Sequence, residues 1–502
     1  MINEKVIYQP VIGLEIHLQL KTKSKMFCSC KNEWLEERPN VNICPICLGH
    51  PAVLPAINQE AVRMALILGF ALNGQIAEIS QFDRKNYFYP DLPKGYQISQ
   101  YNLPLIQNAW IVINNHRIRI KRIHLEEDTA KLIHTPDNKW SLLDFNRAGI
   151  PLLEIVTEPD ITSPQEAKMF LRELQLLARY LDISWADMEK GQMRCDLNIS
   201  LRPKKENKLY PKTEIKNLNS FKAVEESLAY EIKRQTKLWQ EGRVPKEQST
   251  RGWNEKRGIT IEQRSKEEEM DYRYFPEPDL PILSLSKFNL EAIKQSLPEL
   301  PIARRERFIQ MYGFSPSGAR ILTDDKLLAD FTEKVITELK AWLVSLETVE
   351  GSEQEIWQKN KGKMVKLVAN WLVNRLIHLM NENKIGVGDL KITPQNFSEF
   401  IILIYEGKVS STLAQQILEK MFFEGLDVDQ AIQEGGLKRI DDLSEINKII
   451  EKVIKNNPVA LADYKKGKVN AIIYLIGQVM KETKGRANPD LVRKILEEKL
   501  NG

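Results

Sequence analysis

The hydrophobic period of this chain changes once along its length, at a cluster of prolines. Up to about residue 295, short stretches alternate apolar and polar residues with period two. After "PEPDLPIL" and "LPELPIARR" almost every segment repeats at helical spacing, as in "KMVKLVANWLVNRLIHLMNEN". Such a chain folds as α+β, with a largely antiparallel sheet over 1–295 followed by all-α material. At 502 residues it exceeds what one core supports, so two or three domains are expected. Ser411 in "YEGKVSSTLAQQILEKMF" offers the start of a further helical unit, which gives an expected division into 1–295, 296–405 and 406–502.

Two helices interrupt the first part. "NQEAVRMALILGFALNG" is capped by Asn58 and stopped at Gly74, with Ala61, Met64, Ala65, Leu68 and Leu72 on one stripe. "SFKAVEESLAYEIKRQTKLWQEG" turns Phe221, Val224, Leu228, Ile232 and Trp239 inward and ends at Gly242. Between them "IRIKRIHLEED", "PLLEIVTEPD" and "CDLNISL" carry the strand period. The opening "MINEKVIYQP" has no apolar leader, and runs such as "FIILIY" are too short to cross a bilayer, so a cytoplasmic protein is expected. A net charge of +4 is too small for the bulk field to hold a polyanion, so nucleic-acid binding would need local patches.

One strand combines apolar pattern with reactive groups. In "VIGLEIHLQL", period two puts Ile12, Leu14, Ile16, Leu18 and Leu20 on one face, and Val11, Gly13, Glu15, His17 and Gln19 on the other, with Gly13 leaving open space. The first face reads as core and the second as the floor of a site. Two further strands carry acids among apolar residues. Glu127 continues the phase of Ile123 and Leu125, which makes it the interior carboxylate of "RIHLEED", whereas Glu126 shares the phase of Arg122 and His124. Glu154 sits mid-strand in "PLLEIVTEPD". Carboxylates at such positions are oxygen ligands for a hard cation such as Mg²⁺.

Four of the five cysteines lie within twenty residues, as Cys28, Cys30, Cys44 and Cys47. Their spacing can close a tetrahedral thiolate shell around zinc, with no open position, so the ion would be structural. The bland alternative is two reduced or disulfide-bonded couples. Cys195 alternates with Leu197, Ile199 and Leu201 and reads as core. "FDRKNYFYPDLPKGYQISQY" interleaves Arg84, Lys85 and Lys94 with Tyr87, Phe88, Tyr89, Tyr96 and Tyr101, a mixture suited to nucleotide or single-stranded RNA; otherwise it is a surface loop with aromatics packed beneath. In "KKGKVNAIIYLIGQVMKETKGRA", Lys465, Lys466, Lys468, Lys481, Lys484 and Arg486 stand at the two ends of one amphipathic helix, able to grip phosphates unless they are plain solvated surface. The chain has no Walker-type or dinucleotide glycine motif, and no nucleophile constellation.

"VIGLEIHLQLKTKSKMF", "GHPAVLPAIN", "HLEEDTAKLIH", "NRAGIPLLEIVTEPD", "RCDLNISLRP", "TEIKNLNSF" and "DYRYFPEPDLP", with the basic-aromatic stretch above, resemble the B subunit of the bacterial aspartyl/glutamyl-tRNA amidotransferase over essentially the whole chain. The resemblance implies a cradle-like catalytic domain, a helical domain and a helical tail that holds tRNA. It implies phosphorylation, by ATP, of the side-chain carboxylate of misacylated Glu-tRNA(Gln) or Asp-tRNA(Asn). Ammonia from an amidase-type A subunit then displaces the phosphate, and a small C subunit ties the partners together. By motif, the magnesium ligands would be Glu15, His17, Glu127 and Glu154, and Asp128 or Glu126 would take the proton from ammonia. Arg84, Lys85, Tyr87, Tyr89 and Lys94 would meet the nucleotide, and the four cysteines would keep the zinc. "WLVSLETVEGSEQEIWQ" departs from the family pattern. Two rival readings are a non-catalytic zinc-containing tRNA-binding module and a zinc-dependent hydrolase.

Overall fold

The structure, a computed structural model, describes residues 7–501 apart from 34, 36–37, 138, 266–270, 347–350, 435–442, 466–467, 469 and 484–485. It divides into two compact units, Met1–Pro301 and Ile302–Gly502. Among the described residues, no helix is long and apolar enough to cross a membrane.

The first unit is built on a nine-stranded main sheet: β1 (Tyr8–Gln19), β2 (Gln75–Ile76), β3 (Ile106–Ile113), β4 (His116–Glu127), β5 (Pro151–Thr157), β6 (Met193–Pro203), β7 (Thr213–Lys216), β8 (Ser249–Asn254) and β9 (Ile259–Ser265). Their order is β9-β8-β7-β6-β1-β5-β4-β3-β2, antiparallel throughout except between β7 and β8. Register aligns the apolar phases into rows: Cys195, Ile16, Ile155 and Ile123 lie across four strands, as do Leu18, Leu153 and Leu125 across three. Ile12, Leu14, Ile16 and Leu18 are at most 1% exposed. Burial of each contributes roughly 1.5–3 kcal/mol. Helix α1 (Gln59–Ala71) packs on β3 and β4, α2 (Pro164–Tyr180) on β3, and α3 (Phe221–Gln240) on β6 and β9.

Asn58 caps α1 as expected, its side chain accepting from the Glu60 and Ala61 amides. On α3, Val224 and Leu228 are buried, but Phe221, Ile232 and Trp239 are not among the buried residues or are only partly covered. The fully buried positions include Glu231 and Gln235 instead. Glu231 is held by Arg234, Arg251 and Thr260, so a paired polar network occupies a place that apolar counting gives to hydrophobic residues.

The second unit is helical. One core gathers Phe308, Leu322, Val335, Leu339, Trp371, Phe397 and Phe400, and continues through Leu413, Ile417, Phe422 and Ala431. The break expected near residue 405 is therefore not a break in packing, because helix Ser411–Glu424 belongs to this core. A separate core joins Ile446, Ile450, Leu475, Val479, Val492 and Leu496. The single basic-ended helix expected there is two: Lys465 ends Pro458–Lys465, and Lys481 lies in the last turn of Asn470–Glu482. Lys466 and Lys484 lie outside the described residues.

A charge network pins this unit's first turns. Arg304, buried, binds Asp330 at 2.6 Å and Glu333 at 2.5 Å, while Arg307 also reaches Glu333 and the Tyr312 hydroxyl donates to it at 3.1 Å. Burial pushes the Glu333 carboxyl up, but Arg307 and Arg304 outweigh it and hold it below its ordinary value. A carboxylate depressed in the folded state stabilises fully above its unfolded pKa and loses that contribution as pH falls through the folded one. Glu333→Gln should lower the thermal midpoint at pH 7, and the gap to wild type should close between about pH 5 and about pH 3. A gap that stays constant into acid, followed by circular dichroism, would contradict this origin.

Candidate active site

The face of the sheet opposite the helices is polar, and the same register that builds the core aligns its residues. His17 on β1 stands opposite Arg194 on β6 and Glu154 on β5, and Glu154 stands opposite His124 on β4. Glu15 faces Asp196, while Leu152 separates Gln19 from Glu126. His17 Nε2 lies 3.6 Å from both Glu126 Oε1 and Glu154 Oε2, and 3.9 Å from Glu15 Oε1. His124 Nε2 lies 3.6 Å from Glu154 Oε2 and 3.9 Å from Glu126 Oε2. Three of the expected residues, Glu15, His17 and Glu154, thus come together.

Glu127 does not join them. Its carboxylate accepts from the Lys94 ammonium and from the Ile98 amide at 3.0 Å, on the core side of β4. Glu126 and His124 stand in the place expected for it. The phase assigned to β4 is right but its face is not: residues in step with Ile123 and Leu125 share the helix-covered side, whereas the site lies on the other. Nor does Gly13 border open space. A Cβ there would meet Pro159 at 3.8 Å, because residues 157–161 run alongside, with Thr157 Oγ1 accepting from the Leu14 amide at 2.9 Å.

Burial and shared charge set the protonation of this cluster. Burial alone would favour neutral His17, but Glu154, Glu126 and Glu15 raise its pKa to about 9. Burial and the Glu154 carboxylate push Glu126 up to about 7. Glu15 is also raised, by burial and by Glu154, against His17. Burial pushes Glu154 up too, yet His124 and His17 outweigh it and hold it well below the carboxylate range. Burial drops His124 to about 4, and its Nδ1 has no hydrogen-bond partner among the described residues. Glu15, His17 and Glu154 each offer one ligand atom within 4.8 Å of the others, as do His124, Glu126 and Glu154. Converging carboxylate oxygens with a neutral imidazole are a donor set that could hold a hard divalent cation.

Around this floor opens a cleft of about 830 Å³, lined among others by Lys85, Tyr87, Arg122, Arg194, Lys212, Tyr272 and Tyr274. Arg122 pairs with Glu154 at 3.2 Å and Arg194 with Asp128 at 2.8 Å. Among the described residues, no carboxylate lies within ion-pair distance of Lys85 or Lys212; burial would lower the Lys85 pKa, but Glu126 and Glu154 outweigh it and hold it above its ordinary value, so this ammonium already answers the acids of the floor. Tyr101 and Tyr274 stack with centroids 4.2 Å apart, and Tyr87 and Tyr272 meet edge to face. Of the five residues expected to meet nucleotide, Lys85 and Tyr87 line the cleft. Arg84, Lys94 and Tyr89 do not. Arg84 alternates with Lys85 on strand Asp83–Asn86 and is bound through two nitrogens to Glu277, Lys94 is taken by Glu127, and Tyr89 is exposed. Asp128 has both oxygens occupied, by Arg194, the Thr129 amide and Gln19, so it braces the floor and is not free to take a proton. Sequence reasoning missed Tyr272, Tyr274, Arg194 and Lys212. Arg194 had a signal in the outward phase of "RCDLNISL".

The four cysteines form a second centre, with their Sγ atoms within 4.8 Å of one another. A tetrahedral zinc site with Zn–S bonds of ~2.3 Å has S–S edges of roughly 3.8 Å, so the set fits such an ion. The Cys28 thiol beside it outweighs burial and, with Lys25, pulls Cys47 down to about 5. Cys195 is buried in the sheet.

A sheet with a carboxylate and imidazole floor, beside a four-thiol loop, defines an N-terminal catalytic domain of a known kind. Residues 10–291 match the GatB/GatE catalytic domain, and residues 355–500 match the GatB domain, so that 292–354 lie between the two matches. The chain is 45% identical over 501 residues to the B subunit of the aspartyl/glutamyl-tRNA(Asn/Gln) amidotransferase of Carboxydothermus hydrogenoformans, covering 98% of this chain and 99% of that one. It is 46% identical to the corresponding protein of Dehalococcoides mccartyi over 98% and 99%, and 44% identical to that of Thermotoga maritima over 99% of each. The chain belongs to the family of aspartyl/glutamyl-tRNA(Asn/Gln) amidotransferase B subunits, and is thus one component of a tRNA-dependent amidotransferase.

The two neighbouring glutamates separate by experiment. Glu126→Gln should weaken Mn²⁺ binding, read by electron paramagnetic resonance, by about tenfold or more. Glu127→Gln should leave that affinity nearly unchanged and instead lower thermal stability, because it loosens Lys94 and the Ile98 amide. The reverse pattern would return Glu127 to the site.

Proposed function

We propose that this chain activates the side-chain carboxylate of misacylated Glu-tRNA(Gln) or Asp-tRNA(Asn) with ATP and then amidates it with ammonia. The ammonia comes from an amidase-type A subunit, held with a small C subunit, and the complex works in the cytoplasm. The observation that carries this reading is the convergence of Glu15, His17, Glu126 and Glu154 on the floor of a cleft that Lys85 and Lys212 also line. These four residues, with His124 beside them, would hold Mg²⁺, which screens the repulsion between a carboxylate and a triphosphate. Lys85 and Lys212 meet phosphate oxygens, and the Tyr101–Tyr274 pair offers a face for a base. A side-chain carboxylate oxygen attacks the γ-phosphorus in line, and ADP leaves. Ammonia attacks the resulting acyl carbon, phosphate leaves, and one proton is lost. Asp128 acts by positioning Arg194 and Gln19 and does not accept that proton.

Three carboxylates crowded around one imidazole cost stability, and a purely RNA-docking module has no use for them. A zinc hydrolase needs an open coordination position, and the four thiols leave none. Cys28, Cys30, Cys44 and Cys47 would hold a structural zinc.

Reconstituted with its partners and given misacylated tRNA, glutamine and ATP, Glu15→Gln should lose amide formation by roughly a hundredfold or more. Its tRNA affinity should stay near wild type. Full activity in this variant would sink the metal assignment. In the tail, neutralising Lys465, Lys468, Lys481 and Arg486 should reduce the salt slope of tRNA binding by about one unit for each phosphate no longer neutralised. An unchanged slope would leave these residues as ordinary surface.

A further inference from the structure

Among the described residues, Lys25 is a cation with no acid beside it. Its side chain is fully buried, and among the described residues no carboxylate lies within ion-pair distance of its ammonium. The ammonium donates to Cys47 Sγ at 3.7 Å and to the Phe145 carbonyl at 3.2 Å. A buried ammonium needs opposing charge, and a carbonyl alone does not supply it. Four thiolates around one divalent ion do, since that centre carries a net charge of −2 spread over its sulfurs.

The carbonyl contact leads elsewhere in the fold. Segment 145–150 passes directly over the cysteine loop: a Cβ at Gly149 (φ +85°) would lie 3.5 Å from both Cys47 Cβ and Lys25 Cδ. The Asn146 side chain accepts from the Val41 and Asn42 amides and donates to the Arg38 carbonyl, all between the two cysteine pairs. At its far end the segment grips Asp128: the Gly149 amide donates to the Asp128 carbonyl at 2.9 Å, and the Asp128 amide donates to the Ile150 carbonyl at 2.8 Å. Asp128 in turn holds Arg194 and Gln19 in the cleft.

We propose that Lys25 is the charge partner of the metal-loaded thiolate centre and the latch that fastens segment 145–150 to it, so that the state of the four thiols governs the order of Asp128 and Arg194 in the cleft. The inference rests on the cysteines holding a metal ion, and it assigns Lys25 a positioning role. It makes the thiol loop a regulator of the active cleft. Loss of the ion, by chelation, frees the sulfurs that the ion holds against Lys25 and loosens the hold on the Phe145 carbonyl.

Zinc affinity of the full chain is measured by competition with a chromogenic chelator, and amide exchange is followed over 145–150 and over α1. Lys25→Met should bind zinc about 10- to 100-fold more weakly, with Lys25→Arg restoring most of the affinity. With Co²⁺ in place of zinc, the sulfur-to-metal absorption band should shift in Lys25→Met and not in Lys25→Arg. Zinc-stripped wild type should exchange faster over 145–150 while α1 keeps its protection, a result that decides the matter even if Lys25→Met fails to fold. Wild-type zinc affinity in a folded Lys25→Met, or stripping that leaves 145–150 unchanged or loosens the whole unit alike, overturns the latch. A wild-type chain that takes up no zinc overturns the metal reading as well, whereas metal uptake indifferent to Lys25 overturns this inference alone.

Discussion

Like charges forced together are the constraint on which this catalytic unit turns. Glu15, Glu126 and Glu154 all come within 4 Å of one imidazole. Two unit charges at about 4 Å interact by roughly 4 kcal/mol at the dielectric of a protein surface, so three ionised carboxylates here would repel strongly. The fold meets this with protons and cations. His17 is charged, Glu126 titrates near neutrality, and Arg122 pairs with Glu154. A divalent cation would do the same work with more charge in less space, and its entry would expel those protons. The ligand-free state and the loaded state are thus two solutions of one electrostatic problem.

The sheet makes such crowding possible because it separates stability from chemistry by parity. Along β1, β4, β5 and β6, one set of alternate residues is sealed under three helices and the other opens into the cleft. Antiparallel pairing brings partners on adjacent strands within about 5 Å, so a residue contributed by each of three strands forms a cluster without any loop having to place it. The rigid, helix-covered face then holds the reactive one still. Lys85, Tyr272 and Tyr274, by contrast, come from strand Asp83–Asn86 and from residues 271–274, outside the main sheet, which suits groups that must admit and release a ligand.

How much of this is legible in the sequence follows from the same parity. β1 is legible because its two faces differ sharply in composition, and the cap at Asn58 is legible because it is local. Glu127 is misplaced because period two tells which residues share a face but not which face the site occupies; that needs the neighbouring strands. The rule that works for β1, site opposite core, selects Glu126 and His124 when it is applied to β4. Glu231 escapes notice because apolar counting is blind to a buried carboxylate held by Arg234, Arg251 and Thr260. Tyr272 and Tyr274 reach the cleft from far along the chain after β1, and only the tertiary fold reveals that. The helical core continuing past residue 405 is hidden for a related reason: a good helix start at Ser411 marks a new helix, not a new domain.

The cysteine loop and the cleft are separate centres in sequence, yet they share one short stretch of backbone. Between Asp128 and Ile150 the chain leaves β4, turns and enters β5, and both ends of that excursion meet at the edge of the cleft. At its return the excursion is tied down by polar links: Asn146 and Phe145 are joined to the cysteine loop by hydrogen bonds, and Lys25 supplies the buried charge. Hydrogen bonds of this kind give about 1 kcal/mol each and hold only while their partners stay fixed. A loop with little core of its own would therefore take its rigidity from an ion bound by the four sulfurs. On the proposed latch, the order of the cleft edge would in this way be borrowed from a centre outside the cleft itself.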